Sequence, residues 1–355
     1  MMKPSLPADI EALTVELLNE HLTRSDYWNS GALTEVNSDL YAGMDSMSAG
    51  VYKIDGRLRS GEVVALIVKL RDLGGSENLH QGGRQEVHFY KYLAGRAGVE
   101  TPTAYAAEYE SETGQMLLIL EYLNECGDVG TINTNSSLEQ IVRVTNALAG
   151  MHAKWWNTDE LENLTSIRTF EQPFESGGRL FDSGVYSGAR FIEQYENRLH
   201  PAIYDLYSSS NPWPQNLQGM FSGNRTLCHY DVAAKNLFLP EDLTLAPKFF
   251  DWSLITRGSI GIELAVIIAY SLSVEEHDRI PDVLNSYLET MHSLGITDLT
   301  SDTLWNDVRC GLLVRLAAPI ALASRDYPPA HALALEILPR ITSDVLATDA
   351  LELTR

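Results

Sequence analysis

The sequence is poor in cysteine and has no long apolar run. Its 355 residues contain only three cysteines, an odd number spread far apart: Cys126, Cys228 and Cys310. This excludes a disulfide framework and is typical of a reducing compartment, so we interpret them as buried thiols. The apolar stretch from Cys310 to Ala323 is interrupted by Arg315 and Pro319, and is shorter than the roughly 18 residues of a membrane span. The first 12 residues lack the apolar segment of a secretion signal, so the sequence predicts a cytoplasmic protein.

Basic residues are also scarce. Lysine and arginine together number 26 against 48 aspartates and glutamates, which gives a formal net charge of −22. Nucleic acids and anionic membranes are therefore predicted not to be partners, because both are bound through clustered Lys and Arg. The negative field favours cationic partners such as amines and metal ions. The alternative is that the charge only confers solubility.

The pattern of apolar residues changes along the chain from strand-like to helical. Helical spacing predicts a first helix over 7–23, and short apolar runs bounded by Gly, Ser and Asp predict strands over 51–54, 63–70 and 116–122, with a helix over 85–97. Beyond Leu123 we predict a helix over 137–155 capped by Ser137, strands over 237–239 and 248–250, and further helices over 190–207, 261–272, 281–293, 302–323 and from 330 to the end. The fold class predicted is α+β, with a small β-rich lobe over 1–122 and a larger helical lobe over 123–355.

One motif carries the chemistry. His229-Tyr-Asp231-Val-Ala-Ala-Lys-Asn236 matches the pattern H-x-D-x-x-x-x-N, and Asp251 follows in Lys248-Phe-Phe-Asp-Trp. Asp231 would accept the proton of a substrate hydroxyl as that hydroxyl attacks a phosphoryl group. Asn236 and Asp251 are hard oxygen donors suited to Mg²⁺, and a short hairpin would bring them together. His229 is predicted to hold the loop backbone.

Residues earlier in the chain fit the same chemistry. Lys69 ends an apolar strand, where it would reach nucleotide phosphates, and Glu86 would pair with it; the alternative is a solvated charge pair. Segment 43–50 lacks the pattern G-x-G-x-x-G, so Ser46 and Ser48 would donate hydrogen bonds in place of glycine amides. Glu121-Tyr-Leu123 is interpreted as a hinge whose backbone binds adenine.

These motifs together resemble those of the aminoglycoside phosphotransferase, choline kinase and ecdysteroid kinase-like group, most of all bacterial members of the ecdysteroid kinase-like branch. The segments that carry the resemblance are Val68-Lys69, Glu86-Val-His-Phe-Tyr90, Leu148-Ala-Gly-Met-His-Ala-Lys-Trp-Trp156, His229 to Asn236 and Phe250-Asp251-Trp252. The resemblance implies a bilobal protein-kinase-like fold and ATP- and Mg²⁺-dependent phosphorylation of a small-molecule hydroxyl. By position, Asp231 is then the base, Asn236 and Asp251 hold metal, and Lys69 with Glu86 positions the phosphates.

The sequence departs from the family pattern at two positions. Tyr230 stands where the family usually has glycine, and Glu263 stands where it usually has aspartate, so Glu263 would hold the catalytic loop with a longer side chain. Within the loop, Lys235 is predicted to steady the transferring phosphate; a solvent-facing lysine is the alternative.

The predicted function is phosphorylation of a hydroxyl on a metabolite or antibiotic, and whether that molecule carries an amine stays open. Segment 154–225, rich in aromatic residues, is expected to build the acceptor pocket. Acidic candidates for binding a cationic acceptor are Asp182, Glu193, Glu275 and Glu276. A nucleotide-binding pseudokinase acting as a scaffold is the alternative; a protein kinase is disfavoured because the segment after Asp251 is too short to dock a peptide. The sequence does not choose between monomer and homodimer, or between ATP and GTP.

Overall fold

The structure is a computed structural model and describes residues 6–7, 9–41, 50–71, 77–123, 127–130, 136–170, 188–208, 221–324 and 327–354. The chain forms two compact units. The first comprises Met1–Thr131 with Lys235–Ile255, and the second comprises Ile132–Ala234 with Thr256–Arg355. The return of segment 235–255 to the first unit places the second half of the motif region with the N-terminal sheet. The division of the chain into lobes at residue 122 stays a prediction.

The first unit is built on an antiparallel sheet. Among its described residues the sheet has five strands in the order β1-β2-β3-β5-β4. The strands are β1 (Leu33–Leu40), β2 (Gly50–Leu58), β3 (Val63–Arg71), β4 (Ala104–Tyr109) and β5 (Met116–Glu121). A second, smaller sheet joins β6 (Gly127–Val129), β8 (Leu237–Pro240) and β9 (Lys248–Phe249) in the order β6-β8-β9.

The two faces of the larger sheet have different neighbours. Side chains alternate along a strand, so Leu66, Val68 and Leu70 of β3 share one face. That face belongs to a buried apolar cluster with helix α1 (Val15–Leu22). Lys69 of β3 lies on the opposite face, paired in register with Val51 of β2 and Leu118 of β5. The lysine is thus directed away from the apolar cluster by strand geometry alone.

One helical segment of the first unit follows the sheet's third strand. Helix α2 (Glu77–His88) continues into a π-helical turn over Phe89–Leu93 and a short 3₁₀ turn over Ala94–Arg96. The predicted helix over 85–97 is therefore correct in place, but it starts earlier and changes its winding after His88. Helix α1 begins at Val15, not at residue 7, because the Thr14 side chain accepts a hydrogen bond from the backbone N–H of Leu17 and caps the helix there.

The second unit is mainly helical. Its helices are α3 (Leu138–Trp155), α4 (Asp159–Glu162), α5 (Gly188–Tyr195), α6 (Pro201–Ser208), α7 (Ile260–Ser271), α8 (Ile280–Ser293), α9 (Ser301–Arg315), α10 (Ala317–Ala323) and α11 (Pro328–Ala347). Short strands β7 (Thr226–Cys228) and β10 (Thr256–Gly258) pair antiparallel. None of the described helices is long and apolar enough to cross a membrane.

Local sequence signals account for several of these boundaries. Ser137 caps α3 as predicted, in a reciprocal capping box with Gln140. The helix predicted over 302–323 is two helices, which meet at Leu316, three residues before Pro319. Proline removes a backbone donor and obstructs a continuous helix, which accounts for the break. Helix α7 is buried along its whole length, as its sequence of Ile, Leu, Val and Ala requires.

Candidate active site

The first unit contains a cavity with mostly apolar walls. It contains about 610 Å³ of empty space, part of which is open to solvent. The apolar walls come from both sheets and the segments between them: Val51, Ile67, Pro102, Leu120, Val129 and Phe250. Glu121, Tyr122 and Leu123 form another part of the wall. The cavity is thus mostly apolar, with charged groups in one part of its lining.

Those polar groups are Lys69, Glu86 and Asp251. The Nζ atom of Lys69 donates hydrogen bonds to Oε2 of Glu86 at 2.7 Å and to Oδ1 of Asp251 at 3.0 Å. Lys69 is 5% exposed and Glu86 is 1% exposed. The predicted pairing of Lys69 with Glu86 is therefore confirmed, and the alternative of a solvated pair is wrong. Three charged groups are held together in a buried place, one cation between two carboxylates.

The cation decides the protonation of its neighbours. Burial acts to lower the pKa of Lys69, but Asp251 and Glu86 more than offset it, so the pKa is raised. Burial acts to raise the pKa of Asp251, but Lys69 and Lys235 reverse this and lower it well below the usual range. Burial raises the pKa of Glu86 and Lys69 opposes that change; the 2.7 Å contact is the geometry of a charge-assisted hydrogen bond, which fits an ionised pair.

Asp251 is held in an unusual backbone conformation by its neighbours. Its φ of 61° lies in the left-handed region, which aspartate adopts more readily than most residues. The next residue, Trp252, stacks on Phe89 with ring centroids 3.7 Å apart. Ser253 donates its hydroxyl to Oδ1 of Asp251 at 2.8 Å. The segment around Asp251 is thereby attached to the same helical segment that carries Glu86.

The predicted hairpin brings Asn236 close to Asp251 along the backbone. The N–H of Phe250 donates to the carbonyl of Asn236 at 3.1 Å, beside the paired strands β8 and β9. Among the described residues, Oδ2 of Asp251 accepts no hydrogen bond, while Oδ1 accepts two. A carboxylate kept ionised with one oxygen unengaged fits a hard divalent cation, and the backbone of the buried Asn236 lies one residue away from it through the Phe250 bond. Lys235 acts on Asp251 through its charge, within the same unit.

The hinge residues lie at the cavity as the sequence predicts. The Glu121 carboxylate accepts hydrogen bonds from Nζ of Lys248 at 3.0 Å and from the N–H of Thr103 at 3.0 Å. Its side chain is therefore engaged in holding the hinge, and Leu123 contributes to the wall. Lys248 in this role is not apparent from the sequence, because its partner is distant along the chain.

The second unit contains the first part of the motif, His229 to Asp231, whose backbone is held by hydrogen bonds within that unit. Nδ1 of His229 accepts the N–H of Asp231 at 3.3 Å, which confirms that the histidine holds the loop backbone. The N–H of Tyr230 donates to Oε2 of Glu263 at 2.9 Å, which confirms the predicted attachment by the longer acid. Tyr230 has a φ of 73°, a conformation that glycine adopts without strain. The glycine usual in the resembling family fits this backbone, and tyrosine adopts it here at a cost of order 1–3 kcal/mol.

Glu263 lies in a fully buried polar network. Its ligand-type atoms and those of His152 and Cys228 all lie within 4.8 Å of one another. The hydroxyl of Tyr287 is 2.8 Å from Nδ1 of His152, and burial lowers the pKa of that histidine to about 3. Cys228 and Cys310 are buried free thiols, as predicted. The network is thus neutral at its histidine and thiol, and its main attachment to the motif is through Glu263.

Replacing Glu263 with glutamine is expected to remove a pH dependence of stability. Burial raises the pKa of Glu263 to about 8 from 4.5, despite the opposing N–H donor of Tyr230. Between these values the folded protein binds a proton that the unfolded chain has lost, so the free energy of unfolding falls as pH rises, by about 4 kcal/mol between pH 4.5 and 8. Urea denaturation from pH 4.5 to 8 measures this slope.

The matched control is Glu289→Gln, an exposed glutamate on α8. That variant is expected to keep the slope of the unchanged protein. Equal slopes in the Glu263→Gln variant and the unchanged protein would contradict the assignment of the titration to Glu263.

The predicted site residues that the structure describes fall in both units. Lys69, Glu86, Glu121, Leu123 and Asp251 all line the cavity of the first unit. Lys235 and Asn236 belong to that unit by their place in the chain, and Asp231 belongs to the second unit. Ser46 and Ser48 lie outside the described residues, as does Cys126. The sequence did not indicate Gln85, whose Nε2 donates to the carbonyl of Ile255 at 2.6 Å and attaches the segment after Asp251.

Solved structures share this fold. A putative aminoglycoside phosphotransferase from Ralstonia eutropha matches with a TM-score of 0.56 at 14% identity, covering 95% of this chain and 98% of that one. Choline kinase from Cryptosporidium parvum matches with a TM-score of 0.55 at 10% identity, covering 96% and 99%. A spectinomycin phosphotransferase in complex with ADP and spectinomycin matches with a TM-score of 0.53 at 13% identity, covering 96% and 99%. The α+β, protein-kinase-like fold is confirmed.

Sequence comparison gives the family. No curated protein sequence matches the chain. The model of the ecdysteroid kinase-like family matches residues 88–297, which is more than half of the chain and includes Asp231, Asn236 and Asp251. The chain belongs to the ecdysteroid kinase-like family.

Proposed function

We propose that this protein transfers the γ-phosphoryl group of a nucleoside triphosphate, ATP in the first instance, to a hydroxyl group of a small molecule. The observation that carries the proposal is the buried cluster of Lys69, Glu86 and Asp251 at the end of an apolar cavity. A buried ion pair contributes little to stability compared with apolar packing. The presence of the buried Lys69–Glu86 pair therefore favours a role in binding or catalysis.

Different parts of the cavity would bind the base and the phosphates of the nucleotide. The base would lie between the apolar walls, with its polar edge toward the backbone of Glu121 to Leu123. Lys69, held by Glu86, would donate to the phosphates, whose charge it would partly neutralise. Ser46 and Ser48 remain proposed as donors to the same phosphates.

The motif residues would carry the transfer. Asp251 and Asn236 would hold Mg²⁺, which supplies compensation for the negative charge of the phosphates. Asp231 would accept the acceptor's hydroxyl proton while that oxygen bonds to the γ-phosphorus and the bond from phosphorus to the β–γ bridging oxygen breaks. The products are a phosphate monoester and the nucleoside diphosphate. Lys235 would steady the transferring group by its positive charge.

The proposal is tested by nucleotide binding and acceptor-dependent turnover. Calorimetry should show ATP binding that strengthens with Mg²⁺, and ADP release should rise above the acceptor-free rate with one class of hydroxylated compounds. GTP in parallel reports the nucleotide preference. A Lys91→Met variant serves as control, because that lysine of the same unit is exposed and does not line the cavity.

Each outcome bears on the proposal. Acceptor-dependent ADP release supports it and identifies the acceptor class. Nucleotide binding without turnover by any acceptor favours the pseudokinase alternative and contradicts the catalytic part. Absence of nucleotide binding contradicts the whole proposal.

A further inference from the structure

Tyr230 directly precedes Asp231 and forms part of an aromatic wall in the second unit. Its ring lies 6.2 Å from that of Phe170, which in turn lies 5.8 Å from the ring of Phe221. The backbone of Tyr230 is fixed by the bond from its N–H to Glu263. The Tyr230 ring thus extends from a fixed backbone position that is adjacent in the chain to the residue we propose as the base.

Two guanidinium groups act on the Tyr230 hydroxyl. Arg168 and Arg315 both interact with it through their charge, and Asp231 interacts in the same way with Arg315. Arg315 also packs over the ring of Tyr270 at 5.1 Å and donates a hydrogen bond to the hydroxyl of that tyrosine. These interactions place two cations and a phenol around the start of the motif.

Arg168, Arg315 and the Tyr230 hydroxyl make few hydrogen bonds and ion pairs with the described residues. Within the part of the chain that the structure describes, neither the guanidinium of Arg168 nor the hydroxyl of Tyr230 makes a hydrogen bond, and no acidic side chain forms an ion pair with Arg168 or Arg315. Nε of Arg315 is buried without a hydrogen-bond partner. Burial lowers the pKa of Arg168, with the Tyr230 hydroxyl as the opposing influence. A partly buried guanidinium group without an ion-pair partner, such as that of Arg168, is costly, and an anion beside it would offset that cost.

The two arginines near Tyr230 contrast with the acidic composition of the chain. Acidic residues outnumber basic ones 48 to 26, yet the charged groups with the largest effect on the Tyr230 hydroxyl are two arginines, ahead of Glu263. Among the acidic residues considered for a cationic acceptor, none in the described part of the chain forms an ion pair with Arg168 or Arg315. Glu193 is exposed, Glu276 accepts the hydroxyl of Ser273 in its own turn, and Asp182 lies outside the described residues.

We propose that the acceptor carries an anionic group, a carboxylate or a phosphate, which Arg168, Arg315 and the hydroxyl of Tyr230 bind close to the hydroxyl that is phosphorylated. Planar guanidinium groups match both anions with paired hydrogen bonds. The aromatic wall of Tyr230, Phe170 and Phe221 would contact the carbon skeleton. This inference rests on the proposed function, because it takes Asp231 as the base.

The experiment compares acceptors that differ in charge. ADP release is measured with hydroxy acids such as lactate and mandelate, with the corresponding amides, with hydroxylated phosphate monoesters such as glycerol phosphate, and with amino alcohols such as choline. We expect turnover with acids or phosphate monoesters at a kcat/KM at least about tenfold above that of the neutral or cationic compounds. The two anionic arms distinguish a carboxylate from a phosphate.

Variants then separate anion binding from structure. Arg168→Gln and Arg315→Lys are expected to raise KM for the anionic acceptor at least about tenfold, with kcat and the nucleotide KM changed less than about threefold. Arg315→Lys keeps the charge and the packing on Tyr270, which protects the fold. The control is Arg279→Gln, whose arginine is exposed and pairs with Asp282, and it should leave all constants unchanged.

The outcomes separate this inference from the proposed function. Preferred turnover of neutral or cationic acceptors would overturn the anionic class and leave the kinase proposal intact. An equal loss of activity toward an acid and its amide in the arginine variants would also overturn it. Absence of turnover with every acceptor, including the anionic ones, would overturn this inference and the catalytic proposal together.

Discussion

Replacing Asp251 with asparagine is expected to reduce kcat/KM for the nucleotide by about a thousandfold. The carboxylate is the best divalent-cation ligand at the cavity, because Lys69 keeps it ionised and one of its oxygens accepts no hydrogen bond from the described residues. Asparagine has one carbonyl oxygen and no charge, so it would bind the metal ion more weakly and removes one of the two negative charges beside Lys69. Losses of about 10²–10³ follow from removal of a single electrostatic group at an active site.

The substitution leaves the backbone undisturbed. Asparagine adopts the left-handed conformation with φ near 61° as readily as aspartate, and its side-chain oxygen can still accept the hydroxyl of Ser253. Activity with Mg²⁺-ATP and the Mg²⁺ dependence of ATP binding measure the effect. The control is Asp55→Asn, a half-exposed carboxylate in the same unit that pairs with Lys53. Full activity of the Asp251→Asn variant at low Mg²⁺ would exclude the metal role.

The fold was predictable where the sequence pattern is strong and local. Segment 63–71 is a run of β-branched and apolar residues, and it forms the central strand β3. The capped helix at Ser137 and the apolar helix α7 follow from the same kind of local information. Strand β1 was not predicted, because its sequence is polar and seven of its eight residues are at least partly exposed. It forms by pairing with β2, a tertiary interaction that leaves no periodic pattern.

The site was predictable where side-chain chemistry is tied to spacing. Lys69, Glu86 and Asp251 are predictable from the sequence, because a lysine at a strand end and the motif spacing indicate phosphate and metal chemistry. Arg168 and Arg315 were not, since they lie far from Tyr230 in sequence and come near it only in the folded chain. Trp252 is part of a motif in the sequence, but its stacking on Phe89 is not predictable. Phe89 lies in the π-helical turn, and no sequence pattern predicts that turn.

The two departures from the family pattern are physically connected. A tyrosine in the left-handed conformation at position 230 is under strain, and the bond from its N–H to Glu263 opposes relaxation of that backbone. The longer side chain of glutamate reaches the loop from within a buried network. In return, the tyrosine places an aromatic ring and a hydroxyl beside Asp231, where glycine would leave open space. The strained backbone of Tyr230 thus accompanies a side chain that could contact the acceptor, which a glycine at this position would lack.

Replacing Asp231 with asparagine is expected to reduce kcat by about a thousandfold, with little change in nucleotide binding. The carboxylate is proposed to accept the proton of the acceptor hydroxyl, and positioned general bases contribute about 10²–10⁴ in rate. The amide of asparagine can accept a hydrogen bond from that hydroxyl but cannot take its proton. The acceptor therefore still binds while the transfer slows, so KM for the acceptor should change less than about threefold.

The backbone bonds of the loop should survive this change. The N–H of Asp231 donates to His229, and its carbonyl accepts the N–H of Ala233 at 2.8 Å; neither bond uses the carboxylate. The matched control is Asp282→Asn, an exposed carboxylate of the same unit paired with Arg279, which should keep full kcat. Calorimetry with ATP and a melting temperature within about 2 °C of the unchanged protein would show that the fold is retained. If kcat were also retained, Asp231 would not be the base, because no isosteric amide can replace a carboxylate in accepting the proton.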